Sequence, residues 1–170
     1  MEQIESDRTI ARVAERAYVT GGPGARMGDE NNHTGIMSTG MNTGKTPAFP
    51  KKVYWGICNK DDWIDVGKNW PQVEGAMCQV WEDVLPPQMA PGDRYPIECT
   101  ATPIPDDGKD YVCYGTIVYT TVFGDEFTTS WKHSVVRVRV EREGRVLKLL
   151  KTDALPGGYS SEWEPKKNTQ

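Results

Sequence analysis

The sequence predicts a mainly β protein folded as an antiparallel two-sheet sandwich. Three observations predict it. Residues 110–140 hold two long runs of β-branched and aromatic residues broken at Gly124-Asp125, the sequence form of a hairpin, because such side chains fit a pleated, half-buried surface. Seven or so strand-like segments follow one another with turn formers between them, without the strand-helix alternation of a parallel sheet. The length of 170 residues suits one domain with a lead-in, a long loop and a tail to spare. A closed barrel shares this strand signature and stays open as an alternative.

Residues 2–17 set Ile4, Ile10, Ala11, Val13, Ala14 and Ala17 among charges without Gly or Pro, which predicts a short amphipathic helix acting as a stalk or lead-in. Its acids cluster early and its bases late, as the helix dipole favours. The sandwich is expected to occupy 18–151. A first strand starting near Ala17 is expected to break at the GGPG of 21–24, and 25–34 reads as an exposed loop. Segment 35–41 reads as a strand, Asn42-Thr43-Gly44 as a turn, and 52–58 as a further strand.

The stretch 59–84 carries Trp63, Trp70 and Trp81 and several acids. Val73, Ala76, Met77, Val80 and Trp81 recur at helical spacing after Pro71, which predicts a short helix there. Residues 85–93 read as a loop, 94–102 as a strand and 103–110 as a turn region. The hairpin strands are expected at about 111–123 and 126–141, and Glu143-Gly144 turns the chain into 145–151. Val136, Val138 and Val140 alternate with Arg137, Arg139 and Glu141, so the valine face is expected to be buried and the charged face wet. Residues 152–170 have turn formers and no periodicity, and read as a flexible C-terminal tail.

Composition excludes some functions. Net charge is -4 with no basic block to condense on phosphates, so nucleic acid is not expected as a partner. No apolar run reaches the roughly eighteen to twenty residues of a membrane span, and the first residues lack the regions of a secretory signal. As written, the chain is expected in the cytoplasm. Cys58, Cys78, Cys99 and Cys113 form no C-x-x-C pair, which leaves zinc without local support and reads as buried thiols. Cys99 and Cys113 lie on two expected strands that could be neighbours, and are the first candidate pair to oxidise in an exported protein.

Several pieces occur in a familiar order: Glu15-Arg16-Ala17-Tyr18-Val19, Asn42-Thr43-Gly44-Lys45-Thr46-Pro47-Ala48, Leu85-Pro86-Pro87, and Gly115-Thr116-Ile117-Val118-Tyr119 leading to Phe123-Gly124-Asp125. From about residue 8 to residue 150 the chain resembles a group of uncharacterised bacterial proteins in which a hydrophobic anchor and a short helix precede an immunoglobulin-like β-sandwich. The resemblance implies an immunoglobulin-like sandwich with a short N-terminal helix, and a membrane-associated parent protein. No anchor precedes the helix here, so membrane association is expected only if one lies upstream. The group lends no catalytic residues and no cofactor.

Gly44-Lys45-Thr46 resembles the end of a phosphate-binding loop, but Thr39 stands where that loop needs its first glycine and Pro47 and Pro50 follow where a helix should start. A structural turn is expected instead. His133 is expected on the solvent face of its strand, and the acidic pairs Asp61-Asp62, Asp106-Asp107 and Asp125-Glu126 in turns, with no metal. Trp63, Asp65 and Trp70 are the candidate binding residues, because exposed aromatics in sandwich loops often make protein or sugar contacts. The competing expectation is that these tryptophans cap one end of the sandwich. The function expected is a non-catalytic module that binds an unknown protein partner or acts as a spacer. The alternative is a small carboxylate-dependent hydrolase or carbohydrate-active protein on a β scaffold, using carboxylates of 61–65 with Glu82 or Glu98 held about five to ten ångströms apart.

Overall fold

The computed structural model describes residues 2–29, 32–62, 78–82, 85–98 and 104–164. Helix α1 (Glu2–Glu15) leads into β1 (Val19–Asp29), β2 (Asn32–Asn42) and β3 (Ala48–Asn59). A single 3-10 turn (Lys60–Asp62) follows, then β4 (Cys78–Glu82), β5 (Arg94–Glu98), β6 (Tyr111–Thr121), β7 (Glu126–Arg142) and β8 (Arg145–Glu164).

The strands form two antiparallel sheets, β1-β2-β5 and β4-β3-β6-β7-β8. One parallel bridge, Asn32 with Lys148, is the only strand pairing between them among the described residues. Strand β1 also packs against β6, β7 and β8 without pairing with them, so the sheets lie face to face. The main core fills the space between, with Val19 from one sheet meeting Val53, Trp55, Ile57, Ile117, Tyr119, Phe127 and Trp131 from the other. A smaller cluster of Cys58, Val112 and Tyr114 lies on the back of the larger sheet, with Leu155 against it.

Trp131 explains why glycines sit where propensity disfavours them. A Cβ added at Gly115, its cross-strand neighbour on β6, would run into the indole ring, and so would one at Gly21 on the facing sheet. The ring is therefore held between two bare backbones, one from each sheet. The expected break at GGPG does not occur, because β1 runs on through 21–24 in register with β2. Likewise the expected loop at 25–34 is largely hairpin, with both strands paired down to Asp29 and Asn32.

Other expectations are corrected by register. Residues 78–82, placed on a short helix by their spacing, pair with β3 as a strand, Val80 opposite Trp55; the rest of that expected helix lies outside the described residues. Segment 152–164, expected to be part of a flexible tail, continues β8 alongside β7. The register shifts between Trp131 and His133, which skips the turn-forming stretch around Leu155-Pro156-Gly157-Gly158 before pairing resumes. The hairpin turns at Gly124 and at Glu143-Gly144 stand as expected, with φ of 83° at Gly124, and 53° and 73° at Glu143 and Gly144.

Strand faces follow from the buried residues. Val135 and Leu150 belong to the core, so Val136, Val138 and Val140 point the other way. Arg137 instead turns inward and donates to the Ile104 carbonyl. The valine stripe thus lies on the back of the sheet, and Val140 is 41% exposed. His133 shares the inward parity of Trp131 and Val135 and sits opposite Cys113 rather than on the solvent face.

The Trp131 clamp predicts a position-specific glycine requirement. Gly21→Ala and Gly115→Ala should each lower the unfolding free energy by about 2–3 kcal/mol through overpacking. Gly22→Ala, whose Cβ would meet nothing within 4 Å, should stay within about 0.5 kcal/mol of the parent. Urea denaturation of the three variants separates these outcomes, and equal effects at all three would remove the clamp.

Candidate functional site

The motif segments singled out in the sequence converge on one end of the sandwich, where α1 joins it. Asn42 stands at the centre, fully buried at the end of β2. Its side-chain amide donates to the carbonyls of Thr46 and Met89, each at 2.9 Å. Its Oδ1 accepts from the backbone N–H of Gly44 at 3.0 Å and of Tyr18 at 3.3 Å. An asparagine side chain offers two donors and two acceptor sites, and all four are used. Its own backbone pairs with Asp93 and Gly92.

Around it the turn 43–46 is laced to the end of the helix. The Thr43 N–H and hydroxyl both donate to the Tyr18 carbonyl, and Lys45 N–H donates to the Arg16 carbonyl. A Cβ at Gly44 would collide with the backbone of residues 16–18, so only glycine permits this approach. The loop 85–93 is closed onto the same place by a reciprocal bridge between Ala48 and Met89, at 2.9 and 2.7 Å. Gly44-Lys45-Thr46 is thus a structural turn, as expected.

Arginines on the last turn of α1 and just after it complete the joint. The Arg16 guanidinium lies between two rings, 4.4 Å from the Tyr18 centroid and 4.8 Å from that of Phe127. Arg12 reaches Phe123 in the β6-β7 turn at 5.8 Å. Phe127 stacks on Tyr119 at 5.6 Å, and the Tyr119 hydroxyl accepts from the Val19 N–H. The Tyr18 hydroxyl donates back to the Val13 carbonyl. Cation-π contacts of this kind contribute about 0.5–2 kcal/mol each, more when shielded from water.

Burial dominates the titration of the buried thiols and of His133. It pushes the Cys58 thiol up to about 12, with help from Asp62, and the Cys113 thiol also to about 12. Both are free and buried, as expected for inert thiols. Cys99 lies outside the described residues, and β5, which ends just before it, pairs with β2 and not with the β6 strand of Cys113. Burial also holds His133 below its usual range.

The acidic pairs serve loops. Asp106 takes Lys148 at 3.0 Å and Arg139 at 3.1 Å, which hold its carboxyl below the usual range. Asp107 accepts from the Tyr111 hydroxyl at 2.8 Å and from Lys109 N–H at 3.1 Å. Glu126 pairs with Lys51 at 2.8 Å, and Asp61 and Asp62 are exposed. Among the described residues no three of His, Cys, Asp or Glu are grouped to hold a metal. Glu82 ends β4 on one sheet and Glu98 ends β5 on the other.

Trp63, Asp65 and Trp70 lie outside the described residues. What sequence reasoning missed is the joint itself. The Asn42-to-Gly44 bond is local and legible as a turn, whereas the Met89 and Tyr18 contacts span 47 and 24 positions. Met89, a large apolar residue in the middle of a proline-rich loop, is the signal that was there to use. Set against known proteins, the chain matches no family model, no curated protein and no solved structure.

Two outcomes follow. Asn42→Ala leaves two carbonyls and two amides without partners and should lower stability by about 3 kcal/mol or more; chemical denaturation checks it, and a loss under 1 kcal/mol would deny Asn42 this place. For His133, the folded group holds its proton less well than the unfolded one at 6.5, so its contribution is complete above pH 6.5 and is lost as pH falls through that value. The thermal midpoint should therefore fall between pH 7.5 and 5, and fall less in His133→Gln. Parallel pH profiles of the two proteins would contradict this.

Proposed function

We propose that this chain is a non-catalytic immunoglobulin-like sandwich module that spaces or binds, part of a membrane-associated protein, with α1 as the stalk that carries it. The observation supporting this reading is the joint. The segments that carry the resemblance at 15–19, 42–48 and 123–125 meet around Asn42 and Arg16 and fix the helix to the sandwich. Every described side chain of α1 is exposed. A helix of 14 residues is marginal in water by itself, so its order rests on this anchorage at its end. Among the described residues no helix is long and apolar enough to cross a membrane, and the membrane link would come from sequence upstream of the stalk.

A spacer transmits position only if stalk and domain turn together. Backbone 15N relaxation of the intact chain should give α1 amides the same rotational correlation time as the sandwich. In Arg12→Ala/Arg16→Ala the helix should move on its own, with reduced heteronuclear NOE values from residue 2 to 15. Independent tumbling of α1 in the parent protein would refute the stalk.

A further inference from the structure

Independently of that function, the far end of the molecule carries a second, unexplained surface. Pairing of β6 with β7 ends at Tyr111 opposite Val135. From there β7 and β8 run on together to the turn at Glu143-Gly144. The back of this ribbon presents Val136, Val138, Val140, Leu147 and Leu149, none of which belongs to either core cluster. They are half-buried to exposed and form a contiguous aliphatic strip.

The order of residues on that face is what identifies an occupant. Read along the ribbon, the cross-strand rows are Ser134 with Asp153, Val136 with Lys151, Val138 with Leu149, Val140 with Leu147, and Arg142 with Arg145. Two rows are wholly aliphatic, Val138 with Leu149 and Val140 with Leu147, and the first of them is the middle of the five. Turned about a twofold axis lying along that row, the face is complementary to itself: Val138 meets Val138 and Leu149 meets Leu149 of a second copy. Val140 then meets Val136, the Leu147 side chain lies on the Lys151 stem, and Arg145 comes opposite Asp153 at both ends.

We propose that two copies of this chain associate through the backs of their β7-β8 ribbons, in an isologous, antiparallel, face-to-face dimer. The aliphatic middle rows supply the buried area, and the two Arg145-Asp153 pairs fix register and direction. Asp153 already has Lys151 at 3.2 Å on its own strand, with both side chains well exposed, so it is available to a second cation. The strip contains no Trp, Tyr or Phe, the side chains that anchor a face at a membrane interface, and it carries Asp153 as well as Arg142, Arg145 and Lys151, a mixed charge that suits a second copy better than an anionic lipid surface.

Sedimentation equilibrium of the intact chain from micromolar to near-millimolar concentration tests this. The parent should show a monomer-dimer equilibrium. Val138→Lys, which sets two ammonium groups against each other on the axis, should weaken the dimer at least tenfold. Arg145→Asp and Asp153→Arg should each be monomeric alone over the range where the parent dimerises. Mixed one to one they should form a heterodimer, since one native and one reversed pair are then both satisfied. Circular dichroism confirms that each variant is folded; the sites are exposed and tolerate the change. A parent that stays monomeric, a dimer indifferent to Val138→Lys, or single variants that fail to rescue one another would overturn the proposal. Monomer that instead adsorbs to phosphatidylserine vesicles through the strip would overturn it in favour of a lipid surface.

Discussion

Everything in this fold is arranged around the space needed by one indole. Trp131 stands on β7 facing inward, and both backbones that approach it, at Gly115 and Gly21, have no side chain to give way. Interiors are packed at crystal-like density, so a ring of this size fixes both the lateral fit of β6 against β7 and the approach of the facing sheet. Its indole N–H has no acceptor among the described residues, a cost of about 1–3 kcal/mol. The ring is therefore retained for volume and not for its polar handle. With a single β-bridge between the sheets among the described residues, packing at this point helps to hold them in one relative position.

That constraint sets the two ends of the molecule apart in character. At the end where the β6-β7 turn lies, polar groups with long-range partners lock helix, turn and loop together, and Asn42 has no unused hydrogen-bonding capacity. Buried polar networks that are fully satisfied specify one arrangement strongly, because every alternative leaves a group unpaired. At the other end the ribbon is held on its inner side by Arg137 on the Ile104 carbonyl and by Asp106 between Arg139 and Lys148. Its back is left aliphatic. The rigid end suits attachment, and the open end suits association.

Much of the architecture was legible because strands announce themselves by composition. The β6-β7 hairpin, its Gly124-Asp125 turn and the Glu143-Gly144 turn follow from branched residues and positive φ. What the sequence hid was parity and distance. Val135 and Val136 are adjacent valines, so alternation alone does not say which begins the inward set, and the arginine that turns inward does so for a carbonyl 33 positions away. The glycine-rich 21–24 read as a break because the ring that requires glycine there is 110 positions further on. The residues chosen from the sequence for a binding site, Trp63, Asp65 and Trp70, lie outside the described residues. The joint around Asn42 was visible only as a turn.

The two proposals, made from opposite ends of the molecule, constrain each other. Strand β7 begins at Glu126 beside the helix joint, and the twofold axis would cross it at Val138, twelve residues on. At about 3.3 Å per residue the joint lies roughly 40 Å from the axis. Because the axis reverses strand direction, the joint of the second copy lies the same distance away on the other side. The stalks of such a dimer therefore leave at opposite ends, about 80 Å apart. Were α1 the stalk to a membrane anchor, as proposed, two anchors in one flat membrane would have to be reached from joints about 80 Å apart on opposite sides of the axis. Such a pair would suit two facing surfaces, each holding one stalk, better than a single one.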